Sequence, residues 1–555
     1  MFRSQSDMES GRIRTAPQRN FENNCQQIFN TKELLNKIQN TEVGPKYFEL
    51  CGYELHIRQI SVLIALFILF VASCSVGFIF WGTSIFQNAI LSKLVISNES
   101  EAYQDWVSPT PTRFHIYIFN YTNVENVEAG YDDKLNVNEL GPFIYEDRME
   151  RVNVKFSDDG NTVKFQEKHT FKFLPHLSKG RRQNDRIVVP NMPLLSAAAM
   201  SKDSFYLTRM AMSGLFRSLN AHPFVTLPID RFVFGYDDDL YNLAKGVLAL
   251  TKPLPFEKFG LLANRNGIAK DVTEIYTGKD DINKVGTIKS MAEKANYDHW
   301  LNEDCNNVDA VEGVLFSPKQ IHNKAPVELL YKDICRKMPY SFEKEIKIMN
   351  NTIKAYRYTV DENVYGHPSI DNPSNQCYCD MEGGCPPHGL FNATKCAFGT
   401  PLFISKPHFY QADPSLFEAV TGLNPNPKNH QSFIDIHPFM SFTTQGWTRV
   451  QTNIQVKKSF GITQLSMFED DMFLPIAWME FGVDAKDLSD KAKQVIYDST
   501  YLVNGIDMAF KIGSLLMGFI TLLSIVLVIR GRTCRSIEKL GRTMTGESRL
   551  IATDQ

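Results

Sequence analysis

The chain has 555 residues, 22% of them charged and 43% hydrophobic, with a formal net charge of −3. That length fits several domains or one large domain with insertions. The near-neutral balance argues against a nucleic-acid binder, which needs a basic face, and the apolar content argues against a largely disordered chain.

Residues 1–58 form a polar tail rich in Asn, Gln and Arg, with one short helix expected over Thr31 to Ile38 behind a threonine N-cap. No charged residue occurs from Gln59 to Ser92. The densest part, Ile60 to Trp81, holds 22 residues. At ~1.5 Å per residue they span roughly 33 Å, enough to cross a bilayer core. The run starts too far into the chain and is too long for a secretory signal peptide. It predicts an uncleaved membrane anchor over 59–81.

Beyond it, strand signals dominate. Phe114 to Phe119 (FHIYIF), Thr162 to Phe165 (TVKF) and Ala355 to Val360 (AYRYTV) read as strands. In Val450 to Val456 (VQTNIQV), Val450, Thr452, Ile454 and Val456 alternate with Gln451, Asn453 and Gln455. That period of two predicts a half-buried strand. Met192 to Leu219 differs: it is rich in Ala, Leu and Met and reads as helices. A basic run, Lys179-Gly-Arg-Arg, precedes it and reads as a solvated loop.

Ile512 to Ile529 is a second uncharged run, of 18 residues. Lys46, His56 and Arg58 flank the first run; Arg530, Arg532, Arg535 and Lys539 flank the second. The positive-inside rule therefore places both ends, 1–58 and 530–555, in the cytoplasm and 82–511 in the lumen or outside the cell. The sequons at Asn98, Asn120, Asn350 and Asn392 all fall between the spans, as glycosylation requires. Six cysteines, Cys305, Cys335, Cys377, Cys379, Cys385 and Cys396, also lie on that oxidising side. They predict three disulfides rather than a metal site, with fifteen connectivities open. Cys534, just inside the membrane, is a candidate for palmitoylation, with Cys51 a weaker one. Leu550-Ile551, three residues after Glu547, resembles an acidic dileucine sorting signal with its acid one residue closer than usual.

Motifs for a nucleophile elbow, a zinc protease, a P-loop and a dinucleotide site are missing from the sequence. The expectation is a protein that is not an enzyme and that takes no cofactor and no metal.

Several stretches together resemble the class B scavenger receptor family. They are the six-cysteine spacing, GPFIYE from Gly141, YTGKD from Tyr276 with Trp300 ahead of Cys305, GTPLFISKPHFYQADP from Gly399, and GLNPNPKNHQSFIDIHPFMSF from Gly422. The resemblance runs from about Ile60 to Ile529 and includes the two-span hairpin. Glu146 replaces the family's usual Arg in the first signature, and the N-terminal tail is longer than the family's. The resemblance implies the pairings Cys305–Cys377, Cys335–Cys396 and Cys379–Cys385. It also implies an α+β membrane protein whose two transmembrane helices flank a large ectodomain with an antiparallel β-barrel core, a helical cap over about 192–236 and an apolar tunnel. The disulfide region is 305–396.

The implied ligands are lipids (fatty acids, sterols, phospholipids) or lipoprotein particles, delivered to the membrane through the tunnel. The alternative is a trafficking receptor of the endolysosome whose cap binds a protein partner. The membrane is expected to be the plasma membrane or the endolysosomal membrane. Ligand-binding candidates on the cap are Phe205, Leu207, Met210, Met212, Leu215, Phe216, Arg217 and His222. The family's basic cluster near the end of the cap is absent here: only Arg217 is charged, with His222 able to protonate in acid.

Overall fold

The computed structural model describes residues 47–50, 53–248, 257–369, 372–379 and 384–550. The expected helix over Thr31 to Ile38 and Cys51 lie outside them. Two units emerge, one reaching to Phe78 and resuming at Lys511, the other running from Ile79 to Phe510.

The first unit is a helical pair. Helix α1 spans Ile57–Gly77 and helix α5 spans Val503–Leu550, longer at both ends than the uncharged run it contains. Both are long and apolar enough to cross a membrane. Phe67, Ile68, Leu515, Phe519 and Leu527 are exposed, as side chains facing lipid tails must be. Small residues make the contact between the helices: Ser73 Oγ donates to the Ser514 carbonyl at 2.5 Å, and Gly77 and Gly518 lie against Ser514 and Ser73. In lipid such close packing replaces the hydrophobic drive that water supplies elsewhere. A short antiparallel pair, Tyr47–Leu50 with Tyr53–His56, precedes α1.

The second unit is built on one large sheet. Its main strands are β1 (Thr112–Tyr121), β2 (Leu135–Phe156), β3 (Thr162–Phe173), β6 (Thr273–Tyr276), β7 (Ile288–Met291), β8 (Val327–Tyr331), β9 (Arg336–Ile348), β10 (Ile353–Val360), β11 (Phe433–Ile436), β12 (Thr443–Gln455) and β13 (Phe473–Val483). A separate hairpin pairs β4 (Arg186–Pro190) with β5 (Phe224–Pro228). The large sheet runs in the order β7-β6-β3-β2-β1-β13-β12-β11-β10-β9-β8, antiparallel at every step. As a ladder it is open between β7 and β8. One residue touches both ends: Val311 bridges Thr287 beside β7 and Leu329 of β8.

The pattern expected for Val450 to Val456 is corrected here. Both faces of β12 are covered, so Gln451 and Asn453 are as buried as Ile454. The extra strand Leu402–Ser405 extends the sheet alongside the second half of β12, and the turn that follows it, Pro407–Phe409, lies against Gln451. Each amide is satisfied there: Gln451 accepts the His408 N–H and donates to Asn453, and Asn453 donates to the Phe403 carbonyl and Ser405 Oγ. Buried amides are tolerated only when bonded in this way.

Cysteines form three disulfides, Cys305–Cys377, Cys335–Cys396 and Cys379–Cys385. They lie around a core cluster holding Trp300, Tyr340, Tyr358 and Phe391. Trp300 Nε1 donates to the Cys335 carbonyl at 2.7 Å and ties the indole to this knot.

Candidate functional site

Helices α2 (Met192–Met200), α3 (Tyr206–Ser218) and α4 (Ile229–Phe234) pack with the β4–β5 hairpin onto the large sheet. Asn191 begins this cap. Its Oδ1 accepts the Leu194 N–H and its Nδ2 donates to the His222 carbonyl, so one side chain starts α2 and holds the far end of the cap. Along α3, Arg209, Met212, Ser213, Phe216 and Leu219 recur at helical spacing on the buried or half-buried side. Ser213 Oγ donates to Gln464 Oε1 at 2.9 Å, and Gln464 Nε2 returns a bond to the Ser213 carbonyl.

This orientation divides the expected ligand residues. Phe205 is 87% exposed and Leu207 76%, and Met210 is also exposed. Phe216 is fully buried in the main core, which corrects its place among the surface candidates. It occupies the face of α3 turned toward the sheet. Met212 and Leu215 are half-buried and pack against the same core. Arg217 and His222 are exposed.

Three further residues extend the patch. Tyr206 stacks on Phe460 with ring centroids 5.4 Å apart, and Phe460 is 80% exposed. Met200, at the end of α2, is exposed as well. Phe460 comes from a loop far along the chain, so helical periodicity could not have found it. The signal was a lone Phe before a glycine. Gly461 has φ +105°, and a Cβ there would come within 3.3 Å of the Tyr206 ring. The result is an apolar surface of Met200, Phe205, Tyr206, Leu207, Met210 and Phe460.

Elsewhere in the second unit, the stretches that begin at Gly399 and Gly422 meet in a buried polar box. His408 Nε2 lies 2.6 Å from Glu139 Oε2, which also accepts Trp478 Nε1–H at 2.7 Å. The His408 and His430 rings stack at 4.7 Å, and each Nδ1 accepts a backbone N–H, from Asn424 and Asn426 respectively. Burial pushes the Glu139 carboxyl up, but hydrogen bonds from His408 and Trp478 outweigh it and hold it below the usual range.

A family model, the CD36 family, matches residues 63–529. The chain belongs to the CD36 family. Among its relatives, scavenger receptor class B member 1 of Bos taurus is 30% identical over 399 residues, covering 72% of this chain and 75% of that protein. The Rattus norvegicus protein of the same name is 28% identical over 430 residues, covering 77% and 82%. Lysosome membrane protein 2 of Homo sapiens is 28% identical over 429 residues, covering 76% and 86%. Like the CD36 family as a whole, the chain is an integral membrane protein, and cytoplasmic termini fit its two-span hairpin.

The other sites expected for a CD36-family chain are placed as follows. Asn98 and Asn350 are exposed. Asn120 and Asn392 are half-buried, and their Oδ1 atoms accept the backbone N–H groups of Val188 and Thr394. The side chains of Cys534 and Leu550, and Ile551 as a whole, lie outside the described residues.

Two imidazoles in the second unit of this CD36-family chain are expected to make its stability depend on pH. Burial, then the neighbouring His408 ring, pushes His430 down to about 4; burial alone pushes His437 down to about 4. His437 Nδ1 also accepts the N–H of Met440 at 3.0 Å, a bond that protonation would break. Between the ordinary imidazole value of about 6.5 and pH 4, the unfolded chain takes up protons that the folded chain refuses. The stability from these groups is complete above about pH 6.5 and is lost as pH falls toward 4, by about 1.4 kcal/mol per pH unit for each ring. His169 acts in the opposite sense. Burial lowers it, but bonds to Asp147 and Glu167 prevail and raise it, so its contribution is present below pH 6.5 and lost as pH rises through its folded value. His437→Asn, which keeps an acceptor near the Nδ1 position, is expected to flatten the fall in melting temperature between pH 6.5 and 4.5. An unchanged slope would remove His437 from this account.

Proposed function

We propose that this protein is a scavenger-type lipid receptor. The apolar cap surface docks lipids or lipoprotein-type particles, and an apolar passage within the sheet delivers lipid to the membrane. The single observation that carries this reading is the cap patch: Phe205, Leu207 and Phe460 stay exposed although α3, beside them, is pinned to the core. A rigid scaffold that holds large apolar side chains in water is the signature of a binding surface. Met200 and Met210 add adaptable side chains suited to ligands of varied shape. The shared bridge at Val311 supports a sheet that closes into a barrel, which a passage needs. The drive is simple, since each CH₂ withdrawn from water contributes about 0.8 kcal/mol. Relatives named for scavenger reception and for the lysosome membrane make the plasma membrane and the endolysosomal membrane the two proposed locations.

Charge reversal tests this reading. Full-length Phe205→Glu/Leu207→Glu should bind lipid particles at least tenfold more weakly on cells, because burying a Phe and a Leu contributes on the order of 1.5–3 kcal/mol each. Surface abundance should not change. Tyr131→Glu, at an equally exposed aromatic on the β1–β2 loop, should leave binding intact. Undiminished particle binding by the double variant would refute the cap as the docking surface. Loss of a protein partner without loss of lipid would favour the trafficking alternative.

A further inference from the structure

A second surface differs from the cap patch in chemistry. Lys172, Lys179, Arg181, Arg182 and Arg186 fall within fifteen residues that contain one acidic side chain, Asp185, in a chain whose net charge is negative. The fold adds Arg231 to them. Ile229 N–H bonds to the Asp185 carbonyl at 3.0 Å, Asp230 N–H to the Gln183 carbonyl at 3.1 Å, and Arg186 pairs in register with Pro228. The first turn of α4 is thereby laid along the basic loop.

Arg181 is half-exposed and the other five cations are exposed. Among the described residues none of the six forms an ion pair, whereas the exposed sheet cations Arg148, Lys164, Lys289 and Lys344 each have a carboxylate within reach. Three acids lie nearby: Glu146, opposite Lys172 in register, is taken by Arg148 at 2.6 Å, and the other two are Asp185 and Asp230. Asp185 Oδ2 accepts the Arg182 backbone N–H, and Asp230 is partly buried. The loop is also fixed in place. Ser178 is fully buried; its Oγ accepts the Ile144 N–H and donates to the Leu174 carbonyl, and Arg181 N–H closes the turn onto the Ser178 carbonyl at 2.8 Å. Lys179 and Gly180 take left-handed conformations at φ +48° and +81°, which project the basic side chains outward from this anchor.

Unpaired cations held on a rigid turn form a receptor for a polyanion, because little ordering entropy remains to be lost on binding. Guanidinium groups favour oxyanions that accept two parallel hydrogen bonds, as sulfate does. A lipid-inserting surface would add apolar side chains. No large hydrophobic residue between Tyr131 and Met200 is exposed among the described residues. A nucleic-acid surface would add aromatic stacking platforms, and it would face the wrong side of the membrane.

We propose that the face formed by residues 172–186 and Arg231 binds sulfated polysaccharide chains. It is an attachment site separate from the apolar cap patch and does not depend on the lipid-receptor reading.

The test uses the full-length chain in phosphatidylcholine nanodiscs, measured against immobilised heparin over a salt series. The wild type should bind at about 0.15 M salt, with affinity falling steeply as salt rises. Arg181→Glu/Arg182→Glu should weaken binding at least tenfold and flatten the salt slope, with the melting temperature unchanged. Lys347→Glu/Lys354→Glu makes the same charge change on a different exposed hairpin and should weaken it less than twofold. If charge reversal lowers the melting temperature, Lys179→Gln/Arg182→Gln should give a smaller loss in the same direction. No binding by the wild type, an equal loss in both charge-reversal pairs, or an Arg181- and Arg182-dependent preference for phosphatidylserine vesicles over heparin would each overturn the proposal.

Discussion

Arg151→Met is expected to lower the unfolding free energy of the ectodomain by about 3–5 kcal/mol, the cost of stranding one member of a buried ion pair. Arg151 and Glu312 are each only 2% exposed at their side chains and lie 2.9 Å apart. Trp106 completes a triangle: its Nε1–H donates to Glu312 Oε1 at 2.8 Å, its carbonyl accepts from Arg151, and its ring lies 4.6 Å under the guanidinium. Removing the arginine leaves Glu312 charged in an apolar cluster. Replacing both partners, as Arg151→Met/Glu312→Leu, should recover much of the loss because no buried charge remains. Equilibrium denaturation of the three proteins decides the matter. A cost below about 1 kcal/mol for the single variant would show that water reaches the pair.

Cys335→Ser/Cys396→Ser should be nearly as damaging. The disulfide closes a segment with a sequence separation of 61, and freeing it returns about 4 kcal/mol of chain entropy to the unfolded state. Both thiols are removed together so that neither is left to mispair. Secretory-pathway retention, read from glycan maturation, should rise sharply. Cys379→Ser/Cys385→Ser, with a separation of only 6, should cost clearly less. Equal effects from the two pairs would mean that local packing, not loop closure, sets the penalty.

The features legible in the sequence were those with a local signature. A run without charges marks a spanning helix regardless of what surrounds it: α5 contains the second run, and α1 carries the first to Gly77, where a π-helical turn, Phe78–Gly82, continues it. The helical character of Met192 to Leu219 and the strand over Phe114 to Phe119 follow from composition. What could not be read was anything set by distant partners. Phe216 and Leu207 share one helix and similar hydrophobicity, and only the direction of the sheet decides that one is core and the other surface. Gln451 and Asn453 look like solvent-facing positions until the distant segment 402–409 bonds to them. The stack of Tyr206 on Phe460 and the ion pair of Arg151 with Glu312 join residues with no sequence relation. The basic loop was visible as a charge run, but the absence of ion pairs and the addition of Arg231 belong to the fold.

The bridge at Val311 also bears on self-association. The end strands of a sheet normally offer unpaired N–H and C=O groups onto which another chain can add. Here one short segment occupies both ends. Val311 N–H bonds to the Glu328 carbonyl, Leu330 N–H bonds to the Val311 carbonyl, and Ile288 N–H bonds to the Ala310 carbonyl. Three of the groups that would template a neighbouring copy, the Glu328 carbonyl and the N–H groups of Leu330 and Ile288, are already used, and Glu312, locked by Arg151, holds the segment in place. The segment is thus a built-in guard against strand-by-strand self-association.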